Sequence, residues 1–413
     1  MTFMQRIDQA GIAPSVTFNP FLSLGRYIVA TKADDPLIRT ARARQIWAAN
    51  TAAATQALGV PTSLVGDVSK SDFPIESIAG ISAAKRCIAQ LYNVATNFEL
   101  SLVNVKKLIT DNEQQIPAAW VTSIFPQAGL VHTRDPAIAI ASDRRGINFV
   151  LEHHDEDYQC AFKGWKDLAV NRPNCRAIVA ITQAVKETLL NQGVPEEKIL
   201  VLDSGVNSSA ASSMVAEARN WRNYFLGNYF ENLVVYSGGM QFERGIPDIL
   251  HAAQAMADTM FIFCGGHAAD VAQWRPLIET LRLSNVRLLG YLPHHTMCEI
   301  QQAADVLLLS RSADGRPAIT SPLKFFEYLM AGKPIVAARI PVTERFSDQE
   351  LCLQYYDAGI VSSMILAIRK SLSTYKFGHI ALENTALAYS YTWEQRQTRL
   401  MNFVGYVCPR TTF

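Results

Sequence analysis

Short apolar runs alternate with helical stretches through most of this chain, and in its second half run after run ends in a glycine-bearing turn. That alternation constrains the fold more than any other feature, because parallel neighbouring strands need a crossover between them, usually a helix. The expected fold class is therefore α/β. In the second half the predicted strands are Leu233 to Tyr236, Met260 to Phe263, Val286 to Leu289, Asp305 to Leu309 and Ile335 to Ala338. The first four lead into Ser237-Gly238-Gly239, Cys264-Gly265-Gly266, Gly290-Tyr291 and the loop from Ser310 to Thr320. Glycines at such places let backbone N–H groups approach a phosphate or a base closely. A parallel sheet with a ligand-binding edge is expected.

The first half repeats the pattern. Arg26 to Ala30 reads as a strand, Arg39 to Leu58 as an alanine-rich helix closed by Gly59, and Val60 to Val65 as a second strand. This is a Rossmann-like start, but the loop from Thr31 to Pro36 has no GxGxxG, so no dinucleotide site is expected there. Ile81 to Ile109 reads as one long helix carrying Lys85, Arg86, Lys106 and Lys107, either a core helix with a basic edge or an amphipathic helix at a membrane surface. Further strands are predicted at Trp120 to Phe125, Leu130-Val131, Asn148 to Leu151, Ala177 to Ile181 and Ile199 to Leu202. Thr182 caps a helix over Gln183 to Asn191. The polar, small-residue stretch Asn207 to Ser213 is the best linker and marks the domain boundary. Leu351 to Tyr356 is a late strand, Asp357 caps a helix to about Leu372, and Ser390 to Val404 is an amphipathic helix carrying Trp393.

The chain has 413 residues, which suggests two or three domains. A net charge of +1 with mixed signs leaves no nucleic-acid footprint. The seven cysteines form no CxxC pair, which suits free thiols in a reducing compartment rather than a zinc site or a disulfide framework. The first residues lack the apolar core of a signal peptide, and no apolar run approaches the ~20 residues of a membrane span. The expected setting is cytoplasmic, with peripheral contact at the inner face of the membrane left open.

Two stretches carry chemistry. In Thr320 to Pro334, Ser321 is an N-cap type, Pro322 suits the first helical position, and Gly332 is a natural C-cap. Leu323, Phe326 and Met330 form an apolar stripe. Lys324 sits in the first turn, where the helix dipole disfavours a cation, and Glu327 lies one turn further on. A positive helix start with an added lysine suits a diphosphate, and the carboxylate suits sugar hydroxyls. A core helix with a surface ion pair is the plainer alternative. The second stretch is Glu152-His153-His154-Asp155-Glu156-Asp157, six ionisable residues at a strand's carboxyl end. It reads as a metal site, as an active-site edge that positions hydroxyls or moves protons, or as a solvated acidic loop. Adjacent residues on an extended chain point opposite ways, which counts against a shared ion.

In combination these segments resemble the GT4 family of retaining glycosyltransferases. The resemblance rests on VHTRDPAIAI (131–140), FVLEHHD (149–155), AIVAITQAVKETLLNQGVPEEKILVLDSGVN (177–207), VVYSGGMQFERG (234–245), LLGYLPHHTMCEIQQAADVLLLS (288–310) and SPLKFFEYLMAGKPIVA (321–337). It implies a GT-B fold, two Rossmann-like domains facing across a cleft: an acceptor-binding domain over 1–206, a nucleotide-sugar-binding domain over 207–388, and a last helix over 389–413 crossing back to the first. It implies sugar transfer with retention from a nucleoside-diphosphate sugar to a glycan or lipid-linked glycan of a surface polysaccharide. No metal and no cofactor is implied.

By position, Glu327 corresponds to the ribose-binding glutamate and Arg244 to the cation on the diphosphate, helped by Lys324 and the helix start at Ser321, Pro322 and Leu323. Gly238 and Gly239 form the first turn of the donor domain. Gly265 and Gly266 border the donor, Gly290 and Tyr291 the base, and His154 the transferred sugar. Two positions depart from the family pattern: Ile319 stands where a first glutamate is usual, and Gly239 where an arginine is usual. Those departures leave room for a non-catalytic nucleotide- or glycan-binding partner, beside the further alternative of a nucleotide-sugar epimerase on the same fold.

Overall fold

The structure, a computed structural model, describes residues 25–31, 37–38, 43–67, 77–103, 128–154, 162–208, 215–312, 323–375 and 378–406. The predicted strand at Trp120 to Phe125, the linker stretch 209–214, and Asp155 to Asp157, Ile319, Ser321 and Pro322 lie outside them.

Two parallel sheets organise the chain. The first contains β1 (Arg26–Ala30), β2 (Thr62–Asp67), β3 (Glu99–Val103), β4 (Ala128–Thr133), β5 (Phe149–His153), β6 (Cys175–Ala180) and β7 (Ile199–Val201), in the spatial order β3-β2-β1-β4-β5-β6-β7. The second contains β8 (Asn232–Ser237), β9 (Thr259–Cys264), β10 (Val286–Gly290), β11 (Val306–Leu309), β12 (Ile335–Ala338) and β13 (Leu353–Tyr356), in the order β10-β9-β8-β11-β12-β13. Each sheet is covered on both faces by apolar clusters, which is why its central strands read as continuous apolar runs. The strand order reverses between β1 and β4, and again between β8 and β11. Ligands of open α/β sheets bind outside the carboxyl ends of strands at such reversals.

The helices that position the cleft are α1 (Ala43–Ala57), α2 (Ile78–Tyr92), α3 (Gln183–Asn191, capped by Thr182), α4 (His294–Ala303), α5 (Leu323–Met330) and α6 (Trp393–Val404). The helix expected over Ile81 to Ile109 is corrected: α2 stops at Tyr92, and β3 follows. Asn93 ends the helix in the left-handed conformation (φ 52°), which its short polar side chain tolerates, and the chain then joins the sheet edge. The helix after Asp357 begins only at Val361, with Ile360 at the cap position. The single apolar stripe expected on α5 is also corrected. Every residue from Phe325 to Met330 is buried, and Leu323 faces the cleft.

The chain passes between the domains twice, and the two passages lie side by side. Val206 bridges Thr392 in parallel; its N–H donates to Tyr391 O (2.9 Å), and its carbonyl accepts from Trp393 N (3.2 Å). A Cβ on Gly205 would come within 2.4 Å of the Trp393 ring, so only glycine permits this approach. Trp393, Leu400, Met401 and Val404 of α6 then pack into the first domain's core with Trp47, Ala48 and Ala52 of α1. Among the described residues no helix is long and apolar enough to cross a membrane.

Candidate active site

A cleft of about 520 Å³ is lined by both domains. The second domain supplies the glycine turns after β8 and β9. Gly265 has φ +114°, and a Cβ there would stand 2.2 Å from Gly238 O, so these two turns can pack together only without a side chain at 265. Gly238, Gly239, Gly265, Gly266, Tyr291, Leu323, Lys324, Glu327 and Arg244 all line the cleft. Gly290 instead borders an adjoining pocket that shares Gly266, His267 and Tyr291 with it.

Glu327 is buried on this wall. Its Oε2 accepts from Lys324 Nζ at 3.0 Å, and its Oε1 lies 3.5 Å from His294 Nε2 at the start of α4. Burial alone would raise this carboxyl, but the Lys324 charge and the bond from His294 outweigh it and hold it down to about 2. Burial also opposes a charge on His294, yet its contacts with Cys298 and Glu327 push it up to about 10. The carboxylate is therefore flanked by two cations. Arg244, in a short turn before the helix Ile246–Gln254, adds a third, and its buried Nε has no hydrogen-bond partner. Its backbone carbonyl accepts from Ser310 Oγ at 2.5 Å, tying this turn to the end of β11. A net-positive wall with an unsatisfied guanidinium donor and a fixed carboxylate suits an anion bearing hydroxyls.

The first domain's wall contains Trp47 and Asn50 of α1, Arg134 after β4, and His154 after β5. The Arg134 guanidinium stands 5.9 Å from the Trp47 ring. Glu152 and His153 lie within β5 rather than beyond it, and the two histidines face opposite ways. His153 packs on Trp165 (4.4 Å between ring centres), whereas His154 Nε2 hydrogen-bonds Glu152 Oε1. Glu152 is fully occupied. Its Oε2 takes His132 Nε2 at 2.9 Å, and its Oε1 also takes Arg396 Nη2 at 2.5 Å. Burial raises this carboxyl, but the Arg396 charge and the two histidines hold it well below the usual carboxylate range. Burial and the Arg134 charge together lower His154 to about 3 against the pull of Glu152, so its imidazole is neutral. Outside the cleft, Cys352, His379 and Glu383 form the grouping, among the described residues, whose atoms lie close enough to share a metal ion; there the Cys352 thiol donates to Glu383 at 2.6 Å.

Sequence reasoning gave no role to His294 or Arg396. His294 follows Pro293 and begins a helix four residues before Cys298, a placement visible only in hindsight. Arg396 had a legible signal. With Gln397 it falls on the apolar stripe formed by Trp393, Leu400 and Val404, and polar residues at core positions imply buried partners.

Residues 231–370 match the family "Glycosyl transferases group 1". No curated protein matches the chain by sequence. Among solved structures, HepE of Anabaena in complex with UDP superposes with a TM-score of 0.67 at 15% identity, over 92% of this chain and 100% of HepE. A glycosyltransferase from Rickettsia africae gives 0.67 at 12% identity, over 94% and 100%. Sucrose-phosphate synthase of Thermosynechococcus elongatus gives 0.65 at 15%, over 91% and 98%. The chain thus has the GT-B glycosyltransferase fold. Within it, the group 1 glycosyltransferase match is confined to residues 231–370, which hold the second sheet.

Proposed function

We propose that this protein is a retaining glycosyltransferase of the GT4 type. It moves a sugar from a nucleoside-diphosphate donor to a glycan or lipid-linked acceptor in surface polysaccharide biosynthesis, in the cytoplasm or at the inner face of the membrane. One observation carries the reading: Arg244, Lys324, His294 and Glu327 line one cleft wall in the segments that follow β8, β10 and β11. Glu327 accepts hydrogen bonds from the donor's ribose. Arg244 and Lys324 stabilise the charge that develops on the departing diphosphate, which takes the acceptor's proton on the same face. HepE has been seen with UDP and with UDP-glucose, and a pneumococcal O-GlcNAc transferase of the same fold with UDP and GlcNAc, which supports a nucleoside diphosphate as the ligand class. The reaction is proposed without a metal, Arg244 and Lys324 meeting the charge on the diphosphate instead.

The test is calorimetric binding of UDP, GDP, ADP and TDP to the wild type and to Glu327→Ala. One nucleotide should bind in the micromolar range, and the variant should lose about 1–3 kcal/mol, the worth of a hydrogen bond to a charged group. If no nucleotide binds, or the variant matches the wild type, the donor site is misplaced.

A second reading has one observation in its favour. Position 239 carries no side chain, and an added Cβ would meet Gln241 Oε1 at 2.3 Å, so this turn supplies no cation from that position. A non-catalytic partner would bind nucleotide and turn over no donor.

A further inference from the structure

The hydrogen-bond network behind His154 has a definite direction, set by groups that can only donate or only accept. Gln397 Nε2 donates to Thr55 Oγ1 (2.7 Å) and to Tyr27 Oη (3.2 Å), while Gln397 Oε1 faces Arg396 Nη1 at 3.5 Å. The Thr55 hydroxyl proton is already committed to Thr51 O at 2.7 Å, so its oxygen is an acceptor. The Tyr27 hydroxyl proton is therefore free for His132 Nδ1, 2.6 Å away. His132 then carries its own proton on Nε2 and donates it to Glu152 Oε2 at 2.9 Å. Arg396 fixes the other oxygen with Nη2, and its Nε is anchored on Asp203 O at 2.8 Å. An ionised carboxylate only accepts, so the ring nitrogen of His154 that reaches Glu152 Oε1 must be the protonated one.

We propose that Glu152, Arg396 and Gln397 are positioning residues that lock His154 as the Nε2–H tautomer, with bare Nδ1 left as the hydrogen-bond acceptor for the cleft. Three elements other than β5 also face this ring: α1 through Trp47 (6.5 Å between ring centres), the end of β4 through Arg134, and α6 through Arg396. The two arginines oppose a second proton on the ring, and Glu152 favours it. Two of the three positioning residues come from α6, far along the sequence from the histidine they govern. The purpose of the acceptor rests on the reading above, in which His154 faces the transferred sugar. A bare ring nitrogen accepts a hydrogen bond from a sugar hydroxyl, and a protonated one would repel that hydroxyl's hydrogen.

The test is long-range proton–nitrogen NMR on the full chain labelled with ¹⁵N-histidine, with His154→Gln used to assign the signal. The wild type should show His154 as Nε2–H over Nδ1–H by more than about ten to one, as one charged hydrogen bond sustains. It should remain neutral from about pH 8 to about pH 5. In Glu152→Gln the side chain offers one acceptor and one donor end where two acceptors stood, so the tautomers should mix. In Arg396→Gln the carboxylate loses the donor that fixes its Oε1, so the tautomer preference should weaken, while burial and Arg134 keep the ring neutral over that range. An Nδ1–H tautomer in the wild type overturns the proposal, and that spectrum needs no variant to fold. A folded Glu152→Gln with an unchanged His154 signal also overturns it. A chain that binds no nucleoside diphosphate but shows the locked tautomer loses the functional reading and keeps this one.

Discussion

Each domain buries one glutamate at the cleft and sets a histidine against it, yet the two pairs are built to opposite ends. Around Glu152 both oxygens are saturated by protein donors: His132, His154 and Arg396. The histidine on the cleft side is held neutral by burial and by the nearby Arg134 charge. Around Glu327 the contacts are fewer and looser, to Lys324 at 3.0 Å and His294 at 3.5 Å, and the histidine is held as a cation. A saturated carboxylate anchors; a partly engaged one on the same wall as the unpartnered Arg244 Nε is arranged to receive something. What separates them is the company each keeps, since the residue types are nearly the same.

The largest expected effect breaks the saturated pair. Arg396→Met leaves Glu152 as an uncompensated buried anion and should cost about 3–5 kcal/mol in urea unfolding. A variant as stable as the wild type would show that the network anchors nothing. Next, Arg244→Ala should weaken a nucleoside diphosphate by about 1–3 kcal/mol in calorimetry and leave the parent nucleoside unaffected. Equal losses on both ligands would move Arg244 away from the phosphates.

The third expectation is a contrast in pH dependence. His154 is lowered in the folded state, so its contribution is complete above its unfolded value of about 6.5 and is lost as pH falls toward about 3. His294 is raised, so its contribution is complete below about 6.5 and is lost as pH rises toward about 10. Glu327 is lowered, so its contribution is complete above about 4.5 and is lost as pH falls toward about 2. Thermal unfolding of His154→Gln should therefore be flatter than wild type on the acid side, and that of His294→Gln flatter on the alkaline side. The same response from both variants would erase the contrast. The smallest effect belongs to Arg345, whose paired bonds to Asp203 (2.8 and 3.1 Å) join the domains at the surface. Arg345→Ala should cost less than about 1 kcal/mol by the same assay.

The same contrast explains what could be read from the sequence. Ile335–Ala338 and Gln183–Asn191 were legible to the residue, because apolar runs, caps and glycines act locally. The wall around Glu327 was largely legible too. Lys324 and Glu327 lie on one helix, Arg244 follows a glycine turn, and the segment order matches a family. The wall around Glu152 was legible as one of several readings, an active-site edge, and through the family resemblance as the place of His154, but not as a hydrogen-bond network. Its partners come from β1, β4 and α6, and pairing across such separations leaves no local pattern. The overlong helix at Ile81 failed for a related reason: one asparagine in the left-handed conformation outweighed a stretch of adequate helix formers.

The bond between Glu152 and Arg396 spans 244 positions in the sequence. On a ribosome adding about 5–20 residues per second, Glu152 emerges roughly 10–50 s before its partner is made. Through that interval the first sheet can assemble, but the buried Glu152 carboxylate lacks its cation and α1 lacks its cover. The first domain to be synthesised is thus the last to be finished. A message cut short near Tyr391 would spare the second sheet and yield a first domain with an open, acidic core, a fragment suited to chaperone capture or proteolysis rather than to partial activity.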